Sequence, residues 1–229
     1  MIMAQILALD TSTDACSVAL QTHEQTFERF EVVPRKHTQL LLPMVQSLLD
    51  EAQVSVADLD MIAFGRGPGS FAGIRIATGA AQGLALAYET PVAAISTLEA
   101  MAYRALELNP DAEYILAALD ARMDELYWCC YRVETGNLCA LQEERVGAPE
   151  TLGLPCDGRW LFAGSGASYL SRMPEIEAKI ASVDAEIYPE ARIMLQLAQR
   201  EYTAGRLLKP EEAQPVYLRE GSWKKKDQQ

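Results

Sequence analysis

Histidine is scarce: His23 and His37 are the two in 229 residues, and they do not stand at the H-x-x-x-H spacing that puts two zinc ligands on one helix face. A histidine-based metal centre is disfavoured, and no metal is expected. The five cysteines include no C-x-x-C pair, two are adjacent (Cys129, Cys130), and the odd number does not close a disulfide framework, so free thiols in a reducing compartment are expected. The N-terminus, M-I-M-A-Q-I-L-A-L-D, has no basic leader region, and Gln5 and Asp10 break its apolar stretch. Neither a signal peptide nor a membrane span is expected, which makes the cytoplasm the expected location. Basic residues are in deficit, 20 Lys and Arg against 32 Asp and Glu for a net charge of −12. Binding to nucleic acid through its phosphates draws on Lys and Arg, so any RNA should be met through a partner.

What is present is a folding sequence. Hydrophobic residues make up 49% and charged residues 23%, the composition of an ordinary globular protein of one large or two small domains. Residues 4–10, 15–21 and 26–32 read as three strands joined by short turns. Leu41, Val45, Leu48 and Ala52 then recur at helical spacing over residues 37–52, with Leu40, Leu42, Met44 and Leu49 making the rest of that helix apolar too. Pro43 predicts a first-turn proline or a kink. A strand at 60–65, a glycine-rich turn, a helix at 71–88, a strand at 92–95 and a helix at 97–108 follow, and Asn109-Pro110-Asp111 is the expected boundary between a lobe of residues 1–109 and one of 110–229.

The second half opens like the first, with strands at 113–121, 125–133 and 138–146. A-L-D-T-S-T-D at 8–14 aligns with A-L-D-A-R-M-D at 118–124, placing Asp10 over Asp120, and predicts an internal duplication with a degenerate second copy. That copy ends in a short strand at 160–163, a turn at 164–168, a helix at 190–204 expected to pack back on the first lobe, and a tail carrying Lys224, Lys225 and Lys226.

Two places invite chemistry. Asp10, Thr11 and Ser12 at a strand end suit either a metal-bound phosphate or a hydrogen-bonded turn, and the aligned second turn has lost its hydroxyls. Arg66, Gly67, Gly69 and Ser70 in G-R-G-P-G-S suit either an anion at a helix N-terminus or a tight turn capped by Ser70, whereas neither a Walker loop nor a nucleophile elbow is present. The helix that follows holds Gly73, Gly79 and Gly83, each costing about 1 kcal/mol against alanine in a helix interior. Gly79 and Gly83 fall on one stripe, Gly73, Ala77 and Ala80 on another, so a second backbone can approach closely. Together with the all-round apolar helix at 37–52, this predicts a helical partner surface of His37, Leu41, Pro43, Met44, Val45, Leu48, Gly73, Ile76, Gly79, Ala80 and Gly83. Tyr127, Trp128, Tyr131 and Trp160 read as core aromatics. No catalytic residue is assigned.

L-A-L-D-T-S-T at 7–13, H-T-Q-L-L-L-P at 37–43, G-R-G-P-G-S-F-A-G-I-R-I at 65–76 and Y-L-R at 217–219 resemble the TsaB (YeaZ) family. Ala72 and Ala77 stand where that family usually has threonine and often glycine. The resemblance implies an α/β actin-like fold of two duplicated lobes with mixed sheets, the second truncated. It implies a non-catalytic partner of TsaD in making threonylcarbamoyladenosine beside the tRNA anticodon, with TsaE as a further partner, a homodimer when alone, and tRNA reached only through the complex. No cofactor of its own is implied, with ATP or ADP at the complex interface. The rival is an actin-like ATPase or phosphotransferase with Asp10 on the metal and residues 164–168 near an adenosine, and a metalloprotease is more remote.

Overall fold

Strands β1 (Ile6–Asp10) and β2 (Ala15–Gln21) are apolar at most positions, and the computed structural model, which describes residues 4–219, buries every residue of both. Strands buried on both faces need cover on both. Leu7, Leu9, Val18 and Leu20 face α1 (His37–Ala52) and α2 (Phe71–Leu86), while Ile6, Ala8 and Ala19 face α5 (Ala191–Thr203) on the other side. β3 (Thr26–Val32) alternates half-buried and exposed residues along the sheet edge, and β4 (Met61–Gly67) and β5 (Val92–Ser96) continue the sheet on the other side of β1. The order is β3-β2-β1-β4-β5, with the β1–β2 and β2–β3 pairs antiparallel and the β1–β4 and β4–β5 pairs parallel.

The second sheet repeats this plan. β6 (Tyr114–Arg122), β7 (Glu125–Glu134), β8 (Asn137–Ala140), β10 (Trp160–Ala163) and β11 (Ile180–Asp184) lie in the order β11-β10-β6-β7-β8, with the same antiparallel and parallel pairs at the same places. The duplication expected from the aligned turns is thus present in the topology. The copy is truncated: no long helix joins β8 to β10, and between β10 and β11 stand only a 3-10 stretch over Ser165–Arg172 and the single turn α4 (Pro174–Glu177).

Helix α3 (Thr97–Leu108) joins the lobes. Ala100 and Tyr103 pack with α5, while Leu98, Met101, Ala102 and Ala105 pack on the second sheet. Helix α5 returns from the second half of the chain to the first sheet, and its first amide, Ala191 N–H, donates to Ser17 Oγ at 2.8 Å.

Three expectations change, and one strand, β11, was not expected. The strand at 138–146 is two, β8 and β9 (Arg145–Gly147), both on β7, because the intervening residues leave the ladder. Residues 164–168 begin a 3-10 helix rather than a plain turn. β11 has no apolar alternation, since it is an edge strand with three exposed residues. Pro43 is not in the first turn: α1 starts at His37 and runs through it, and both Pro43 and Gln39, whose carbonyl it deprives of a donor, face solvent. Lys224, Lys225 and Lys226 lie outside the described residues.

Candidate functional site

Asp10 ends β1 beside Gly65 of β4, and only glycine fits there, since a Cβ would lie 1.7 Å from Asp10 Oδ2. Asp10 Oδ1 accepts from Ser12 N–H and Ser12 Oγ–H, both at 2.8 Å. Its Oδ2 is buried with no hydrogen-bond partner, and burial pushes the carboxyl up to about 7 against the pull of the two Ser12 bonds. Thr11 Oγ1 donates to the Gly73 carbonyl at 2.7 Å, and Thr97 Oγ1 to Ser12 Oγ at 3.1 Å. Asp10, Thr11 and Ser12 are each at most 1% exposed. The turn thus makes the internal hydrogen bonds of one of its two readings.

The glycine-rich turn closes over it. Ser70 N–H donates to Ser12 O at 2.7 Å, and a Cβ at Gly69 would come within 2.3 Å of that oxygen. Ser70 caps α2, its Oγ accepting from Gly73 N–H at 3.4 Å. Two of the N–H groups that an anion would use are therefore committed inside the protein. Arg66, expected to assist an anion, instead pairs with Glu144 of the second lobe at 3.0 Å, and Gly67 leaves room for the carbonyl of Val216, 3.2 Å from where a Cβ would stand.

Across from these turns the second copy has its own. Asp120, the counterpart of Asp10, accepts from Arg122 N–H, from the Arg122 guanidinium and from Tyr169 Oη–H, so a side chain of the same turn neutralises it. Asp120 N–H donates to Ser165 Oγ at 3.1 Å, which places the start of the 3-10 helix after β10 where the glycine turn after β4 stands in the first lobe. Between the two sets of turns lies a cleft of about 910 Å³, lined by Ser12, Asp14, Ser70, Arg75, Asp120 and Tyr127 among others. Of the aromatics expected in the core, Trp128, Tyr131 and Trp160 are buried there, whereas Tyr127 is half-buried on the cleft wall. Asp10, Thr11, Arg66 and Gly67 do not line it. Among the described residues no three His, Cys, Asp or Glu side chains gather as a metal set, and no helix is long and apolar enough to cross a membrane.

The expected partner surface divides. His37, Leu41, Met44, Val45 and Leu48 are buried within this chain, and His37 Nε2 bonds the Ala15 carbonyl at 3.2 Å. Gly73 is buried as well, because a Cβ there would stand 1.9 Å from Thr11 O. These six residues meet the chain's own sheet and turns, which corrects their assignment to a partner. Pro43, Gly79 and Gly83 are exposed, with Ile76 and Ala80 half-buried beside them. A Cβ at Gly79 or Gly83 would meet nothing within 4 Å. Leu42 and Leu86, 53% and 57% exposed, extend the apolar surface and were not among the residues expected on the partner face. Their signal was the surplus of apolar residues around both helices.

Two lobes with repeated topology, their carboxylate turns facing one another across a cleft, define an α/β protein of the actin-like class. A family model described as TsaD, tRNA N6-adenosine threonylcarbamoyltransferase, matches residues 23–205. The chain is 42% identical to the tRNA threonylcarbamoyladenosine biosynthesis protein TsaB of Escherichia coli K12, over 96% of this chain and 97% of that one. It is 40% identical to the TsaB protein of Haemophilus influenzae Rd over 96% of both. The solved structure of YeaZ from Pseudomonas aeruginosa superposes with a TM-score of 0.89 at 47% identity, covering 94% of this chain and 100% of that one. The chain belongs to the TsaB family.

Proposed function

We propose that this chain serves threonylcarbamoyladenosine formation in tRNA as a non-catalytic subunit that binds a TsaD protein through α1 and α2. The observation that carries the reading is the solvent-facing strip of α2: Gly79 and Gly83 stand one turn apart, each with open space above it, and half-buried Ile76 and Ala80 flank them. Glycines in an exposed helix interior weaken the helix and gain the isolated chain nothing. A second helix packed on them gains close backbone approach and covers Leu42, Pro43 and Leu86.

The absence of catalysis is supported by the turns: Asp10 is sealed under Ser12, the glycine turn's N–H groups are committed, and Asp120 is neutralised by Arg122. In the same reading two copies of this chain pair through the strip when TsaD is absent, and TsaE joins the complex. ATP or ADP is met at the complex interface, tRNA is reached only through the complex, and the site of action is the cytoplasm. The cleft between the lobes keeps one rival open, an actin-like ATPase or phosphotransferase.

Sedimentation velocity of the chain alone, with TsaD, and with and without ATP tests the two. A dimer that gives way to a mixed complex supports the partner reading, and substitution of Gly79 or Gly83 by arginine should then abolish that complex while leaving the chain folded. A chain indifferent to TsaD that binds ATP tightly by itself would overturn it in favour of the phosphotransferase.

A further inference from the structure

The segment 208–219 runs over the first lobe, where Ala213 is buried in the core and Leu208 packs against it, and then crosses to the second. Leu208 exchanges two backbone hydrogen bonds of 2.9 Å with Val92 on the free edge of β5. The chain then runs along α2, where Gln82 Nε2–H donates to Ala213 O at 2.9 Å, and crosses the glycine turn, where Val216 N–H donates to Arg66 O at 2.7 Å. Tyr217 accepts from Arg75 Nε–H at 2.7 Å and packs its ring on Phe71, with centroids 5.7 Å apart. Arg219 then reaches the other lobe. Its guanidinium bonds the carbonyls of Ala121 at 3.1 Å and Arg122 at 3.4 Å and pairs with the Glu125 carboxylate.

The turn it grips is strained. Arg122, Met123 and Asp124 all have left-handed backbones, with φ of 62°, 57° and 60°, and none of them is glycine. L-residues enter that region singly, at a cost for each, so three in succession persist only where neighbours hold them. Two of the carbonyls at this turn are held by Arg219.

We propose that residues 208–219 form an inter-lobe latch, with Arg219 as its clasp, that holds the β6–β7 turn in its strained form and fixes the width of the cleft. Val216, Tyr217 and Arg219 form part of the cleft wall, so releasing the latch opens the cleft on that side and lets the turn relax. The latch is a property of this chain alone and does not depend on the partner proposed above.

Hydrogen exchange and small-angle scattering on the full chain test it, comparing the parent with Arg219→Ala. Peptides covering 119–127 and 210–219 should exchange about tenfold faster or more in the variant, while peptides from α3 and α5 keep the parent rate. The radius of gyration should rise. Unchanged exchange at 119–127 would overturn the latch. If Arg219→Ala instead speeds exchange throughout the molecule, Glu125→Gln, which removes the clasp's charge partner from the other lobe, decides: faster exchange confined to the two segments supports the latch, and parent-like exchange there overturns it.

Discussion

Asp10 carries one oxygen that accepts two hydrogen bonds and one that accepts none, in a place where even the neighbouring residue must be glycine. Its folded pKa, about 7, stands above the ordinary 3.8, so the folded chain holds this proton across a pH range in which the unfolded chain has released it. Stability from that proton is complete below pH 4 and is lost as pH rises through about 7, amounting to about 4 kcal/mol on the alkaline side. Asn in place of Asp10 keeps the Ser12 acceptor and removes the titration. In urea titrations, Asp10→Asn should therefore be more stable than the parent at pH 8, with the gap closing towards pH 4. Parallel stability curves across that range would show that Asp10 does not titrate as its burial requires. At the same scale, the D-T-S turn was legible as a carboxylate-and-hydroxyl turn. Its burial was not, because the cover comes from Ser70 and Gly69, some sixty residues away in sequence.

Helix α2 was legible in extent, and its faces were not. Gly73, Gly79 and Gly83 are alike in sequence, yet one is wedged against a backbone carbonyl and two lie under open solvent. The difference depends on which stripe of an almost wholly apolar helix turns to the sheet, and periodicity cannot choose between two apolar stripes. The same ambiguity placed Leu41, Val45 and Leu48 on a partner, when they form the contact between α1 and the first sheet. The glycines now predict opposite outcomes. Gly73→Ala forces a Cβ onto Thr11 O and should cost about 1–3 kcal/mol of stability, or more where the turn cannot shift. Gly79→Ala fits without contact and should stabilise the isolated helix by about 1 kcal/mol. If the strip is a helix seat, that stabilised variant should also bind TsaD more weakly than the parent. Thermal melts together with binding titrations check both halves, and a Gly79→Ala chain with undiminished affinity would remove the strip from the interface.

Over the whole molecule, the duplication was readable from the repeated three-strand opening together with one seven-residue match, because strands and strand-end turns are set locally, by the residues that make them. The truncation was less so: β11 and the break between β8 and β9 are decided by which neighbours remain to pair with them. The relation between the lobes was legible only in the return of the 190–204 helix to the first lobe, because the rest depends on contacts between residues far apart in the chain. Chief among these besides the contacts of the C-terminal segment is Glu144, whose carboxylate pairs with Arg66 of β4 at 3.0 Å and accepts from Ser96 at the end of β5. The Glu144 and Arg66 side chains are 13% and 25% exposed, so the pair is partly desolvated and only partly screened by salt. Glu144→Gln leaves the guanidinium half-buried and without its charge partner, which should cost about 1–3 kcal/mol. A double-mutant cycle with Arg66→Gln separates this tie from the packing around it. The two substitutions should be strongly non-additive, with the double variant close in stability to the worse single one, and the coupling should persist in 0.5 M salt (about a 4–5 Å Debye length). Additive losses, or a coupling that vanishes with salt, would mean that Arg66 and Glu144 meet only as surface charges and that other contacts hold the lobes together.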